Sequence, residues 1–90
     1  MNTELVIQQI ELSIKHMDDV LLLPLSLNPL NRLSETMNYA KGLVTGISLA
    51  DGIDLSMSTK YHTLITENYL SLSEIIKSNI AANSQTDVTK

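Results

Sequence analysis

Apolar residues recur at steps of three and four along three stretches of the chain, and the breaks between them fall at proline, glycine and short polar runs. The clearest stretch is Asn28 to Ile53, NPLNRLSETMNYAKGLVTGISLADGI. Asn28 is suited to cap the first free backbone N–H groups, and Pro29 at the first helical position gives up only a donor that has no helical partner. Leu30, Leu33, Met37, Ala40, Val44 and Ile47 then draw one line along a helix surface, predicting a helix over about 29–51. Gly52 is placed to take the left-handed conformation that closes it, with Ile53 folding back toward Ile47.

The first stretch starts at Asn2 or Thr3, either a possible cap, and runs to Leu23, because Pro24 disfavours helical geometry in the residue before it. Ile7, Ile10, Ile14, Met17 and Leu21 form its core line. Glu11 and Lys15 make a favourable surface pair, acid first. Leu5, Leu12 and Leu23 project on roughly the opposite side, with His16 between them. A helix with two apolar lines has two neighbours, and the second is either the same helix of another copy or the Leu-rich linker from Pro24 to Leu27 folded back over it. That linker is apolar for a connection and is expected to pack down; its shortness brings the second helix back beside the first.

The third stretch begins near Met57, with Asp54, Ser56 and Ser58 as possible caps, and continues to about 82. Met57, Tyr61, Leu64, Ile65, Tyr69, Leu72, Ile75, Ile76 and Ile80 form one broad face, while Thr63, Glu67, Glu74 and Lys77 lie opposite. Asn68 and Asn79 fall near the middle of the apolar face, where an amide needs a partner; each is read either as a partner-selecting polar group or as locally bonded or exposed. Residues 84–90 are polar and without a period, and are expected to be a disordered tail. The fold class is therefore all-α: a small antiparallel three-helix bundle, a first helix plus an αα-hairpin, in one domain over 1–83, associating through helix faces into a dimer. In periodicity alone the second and third helices resemble small αα-hairpin proteins, some secretion-chaperone subunits among them, and that likeness implies fold without residue roles.

A second side of the central helix changes this picture. Gly42 and Gly46 sit four apart, away from the core line, with Tyr39 and Leu49 on the same flank. Each glycine in a helix interior costs on the order of 1 kcal/mol relative to alanine. Two readings account for them: close backbone approach of another helix, or local tolerance in a small protein. The pattern is diagnostic only inside an apolar membrane span, which this helix is not. Leu5, Leu12, Leu23, Tyr39, Gly42, Gly46 and Leu49 are the candidate partner-interface residues.

Composition narrows the function classes. Ninety residues bury a smaller share of their surface than a larger domain does, which favours sharing a core with another chain. Ten acidic against six basic residues give a formal charge of −4, and the cations Lys15, Arg32, Lys41, Lys60, Lys77 and Lys90 are scattered singly, so no patch for a phosphate backbone forms. There is no cysteine, so disulfides and thiolate metal sites are excluded and a reducing compartment is permitted. No secretory signal pattern and no run near the roughly 18 apolar residues of a membrane span occurs, so a cytoplasmic location without membrane contact is expected.

Chemistry fares no better than nucleic-acid binding. His16 and His62 stand on different helices without metal-ligand spacing. No serine has a nucleophile elbow or a general base, the glycines lie inside or at the end of a helix instead of opening one, and the acids of residues 51–56 lack the closing glutamate of a calcium loop. A helix-turn-helix reading would make residues 58–72 the recognition helix, with Lys60 its sole cation. Met17, Met37 and Met57 are evenly spaced, but the residues around them do not repeat. No catalytic, cofactor or metal residue is assigned. The expectation is a small acidic cytoplasmic interaction module, an adaptor, assembly chaperone or inhibitor, whose partners are a second copy and a protein client. The alternative is a transcriptional or nucleoid regulator acting on DNA or through a DNA-binding partner.

Overall fold

A computed structural model describes the backbone of residues 3–88 and the side chains of residues 3–83. Helix α1 spans Thr3–Asp18, α2 spans Pro29–Leu49 and α3 spans Leu55–Val88. They form the antiparallel three-helix bundle that the periodicity predicts, with α2 at the centre. The molecule is elongated, 58 × 18 × 16 Å, with a radius of gyration of 15.9 Å, against about 12 Å for a compact chain of this length.

The end of α1 is governed by Pro24. The expected helix to residue 23 stops as an α-helix at Asp18 and tightens into a 3-10 turn, Asp19–Leu22. Leu23 is extended (ψ 141°), with its N–H donating to the Val20 carbonyl at 3.1 Å. The proline ring excludes helical geometry at the residue before it, and tightening the last turn satisfies carbonyls that α geometry would leave free. A second 3-10 turn, Leu25–Leu27, leads to Asn28, which takes a left-handed conformation (φ 54°) and makes no side-chain cap. Its carbonyl instead accepts from the N–H groups of Asn31 and Arg32. The linker does not pack down: Leu25 and Leu27 are exposed.

The close of α2 is a Schellman arrangement displaced by one residue from expectation. Asp51, not Gly52, holds the positive φ (59°). The Gly52 N–H donates to the Ile47 carbonyl at 2.8 Å and the Asp51 N–H to Ser48 at 3.1 Å, the paired bonds of that motif. Ile53 is then buried against the core beside Ile47, as expected. Asp54 caps α3, its Oδ1 accepting the Met57 N–H at 2.8 Å. Helix α3 continues past its expected end near 82 to Val88. The tail expected at 84–90 concerns residues whose side chains, and for 89 and 90 the backbone, lie outside the described residues.

In the core, Ile10, Met17, Leu33, Val44, Ile65 and Ile76 are the largest fully enclosed side chains. The line predicted for α2 holds throughout: Leu33, Ala40 and Val44 are buried and Leu30, Met37 and Ile47 are packed against them. On α1 the buried line is Val6, Ile10, Ser13, Met17 and Val20. It is rotated by roughly 60° from the predicted one on the helical wheel, so Ile7 and Ile14 are only half-buried and Leu21 is exposed. The rotation is possible because Ser13 enters the core satisfied, its hydroxyl donating to the Ile10 carbonyl at 2.6 Å, which removes most of the cost of burying a polar group. Helix α3 presents Tyr61, Ile65, Leu72 and Ile76 to the core, while Leu64, Ile75 and Ile80 are partly exposed at the edge of its face.

Candidate functional site

Side-chain hydrogen bonds tie α3 to both of its neighbours. Asn68 donates through Nδ2 to Asp18 Oδ1 at 3.0 Å, pinning the middle of α3 to the end of α1. The amide is thus bonded between helices and not locally, whereas Asn79 is exposed. The His62 ring shares a hydrogen bond with Thr45, Nε2 to Oγ1 3.2 Å. His16 lies on the other side of the bundle, so the two histidines do not converge. Among the described residues no group of three His, Cys, Asp or Glu is placed to hold a metal ion. A cleft between α1 and α3 is lined by Glu11, Lys15, Asp18, Lys60 and Tyr61. Its acids and lysines offset one another, and it contains no activated nucleophile. Among the described residues no helix is long and apolar enough to cross a membrane.

The remaining feature is apolar. On α2, Tyr39, Gly42, Gly46 and Leu49 fall within an arc of roughly 80° on the helical wheel, turned away from the core line. Tyr39 is 65% exposed and Leu49 81%. Both glycines are exposed, and a Cβ added at either would meet nothing within 4 Å. Close approach at these positions is therefore not made within the chain. On α1, Leu5 and Leu12 are 56% and 52% exposed, so the linker does not cover them either.

The two helices present these residues to one flank. Gln9, Leu12, Ser13 and His16 of α1 line a groove with Tyr39 and Leu43 of α2. Leu5, two turns or about 10 Å back along the antiparallel α1, lies level with the C-terminal part of α2, where Gly46 and Leu49 stand. Leu23 does not join them. The extended bend before Pro24 swings it toward the core, where it is half-buried in a separate groove with Val20, Leu27, Arg32 and Thr36. Leu43 is a member that sequence reading missed, since it falls between the core line and the flank on the helical wheel. A second apolar area lies at the bundle end, where Leu22 is 83% exposed near Leu25 and Leu27. The signal for it was Pro24, which breaks the turn outward.

The geometry defines a small all-helical bundle whose α1–α2 flank is open and apolar. Compared with protein-family models, curated proteins and solved structures, the chain matches none.

Proposed function

We propose that this chain is a non-catalytic helical interaction module that associates with a second copy through the α1–α2 flank and offers its remaining surface to a protein client. The observation that carries the reading is the flank itself: Leu5, Leu12, Tyr39 and Leu49 stand open on two adjacent helices around two glycines that nothing approaches. Isolated exposed leucines are ordinary on a protein surface, but a contiguous apolar area is characteristic of an interaction site.

The formal charge of −4 would steer the assembly toward basic client surfaces. A cytoplasmic site of action belongs to the same reading, and the absence of cysteine permits it. Replacing Leu5 and Leu12 together by Ser tests it, because both are exposed and neither belongs to the core. Light scattering on a size-exclusion column, across a concentration series, is expected to show a dimer for the natural chain and a monomer of unchanged helicity for the double variant. A natural chain that stays monomeric at every concentration would remove self-association from the reading.

A further inference from the structure

The exposed arc of α2 reads the same in both directions. Large residues stand at its ends, Tyr39 and Leu49, and glycines inside, Gly42 and Gly46, and both pairs are centred on position 44. A two-fold contact uses one patch twice, so each patch must complement its own inverted image. The geometry points to a second copy of this chain as the occupant, its α2 lying antiparallel across this α2 with the two-fold axis at the level of Val44. This rests on the self-association proposed above and specifies its geometry.

In that arrangement Gly42 of one copy is level with Gly46 of the other, and the backbones approach where no side chain intervenes. Tyr39 is level with the second copy's Leu49. The two lie at opposite edges of the arc, so they fill one layer side by side without colliding. Helix α1 supplies an independent check. Leu12 stands beside Tyr39 and Leu43, and Leu5 about 10 Å farther along, so the midpoint between these leucines also lies level with position 44. The same axis therefore brings Leu5 of one copy level with Leu12 of the other.

Charge and area favour a copy over an unlike partner. Between Glu35 and Asp51 the sole charged residue is Lys41, which is half-buried. Two acidic chains repel least where they meet through an uncharged stripe. A basic partner would gain nothing from it. Leu5, Leu12, Tyr39 and Leu49 offer together roughly 500 Å², and the glycine backbone, Leu43 and a polar rim bring each copy toward the about 800 Å² per partner of a standard interface.

The absence of cysteine allows a clean test by cross-linking. Gly42→Cys and Gly46→Cys chains, one of them isotopically heavy, are mixed at a concentration where light scattering shows a dimer and then oxidised. Mass spectrometry is expected to find the mixed disulfide formed at least ten-fold faster than either homodisulfide. Identical positions are offset by about 6 Å along the axis in addition to the helix separation, beyond the roughly 7 Å that a disulfide spans. Predominant homodisulfides would indicate a parallel pair, and dimers that form no disulfide would place the contact elsewhere; either result overturns the antiparallel arrangement while leaving self-association standing. A monomer at all concentrations removes both. Gly46→Leu provides a variant that the monomer accommodates, since the position is open. It is expected to remain helical and to shift dissociation to at least ten-fold higher concentration, and an unchanged dimer would also overturn the proposal.

Discussion

Helix α2 carries small residues on both of its sides, and they have opposite surroundings. Ala40 on the inner side is fully enclosed between Leu33 and Val44. Gly42 and Gly46 on the outer side face open space. At the inner side the small side chain is fully buried in the core that the three helices share. At the outer side the removal of two Cβ atoms lowers helix propensity with no compensating contact inside the chain. The comparison teaches that a small residue in a helix is explained by what lies against it, and nothing in the described chain lies against the outer pair.

Breaking the inner side gives the largest effect. Ile65→Ala removes a fully buried branched side chain and is expected to destabilise the fold by roughly 2–5 kcal/mol, read as a lower urea midpoint. Ala40→Leu keeps the apolar character but forces three extra carbons into an enclosed site; a loss of about 1–3 kcal/mol in the same measurement is expected. The outer side responds with the opposite sign. Gly42→Ala meets no neighbouring atom and, in dilute solution where the chain is monomeric, is expected to raise stability by up to about 1 kcal/mol, seen as a higher thermal midpoint. A loss of stability there would mean that the monomer depends on the glycine after all, and the contrast between the two sides would fail.

Much of this was legible in the sequence where one residue type had one physical role. The α2 core line and the buried Ile53 follow from spacing alone, while Asp54 is one of three cap candidates that the sequence offers and the one that the Met57 N–H selects. The α1 face was misread because Val6 and Ile7, and again Val20 and Leu21, are adjacent apolar pairs from which periodicity cannot choose. The deciding residue, Ser13, looks polar until its hydroxyl finds the Ile10 carbonyl. The left-handed residue closing α2 was assigned to Gly52 by propensity, but the chain places it where the last helical bonds end, at Asp51. In the candidate site, helix periodicity grouped Tyr39, Gly42, Gly46 and Leu49 on one side of α2, and all four are exposed there. It placed Leu23 on the flank by extending α1 through a bend that Pro24 creates.

Helix α3 has 34 residues against 21 in α2, so it projects beyond the bundle by about 12 residues or 18 Å. The described residues that would continue its core line there, Asn79 and Asn83, are polar and exposed, which leaves Ile80 at the edge of the face as the large apolar side chain among the described residues of the projection. In a two-fold antiparallel pair the two projections leave from opposite ends. Such a pair resembles a double-ended rod of roughly 80 Å from tip to tip, whose reach is set by helix length. Anything fastened to both tips would be held at that separation, while the central joint could come apart and re-form without altering either arm.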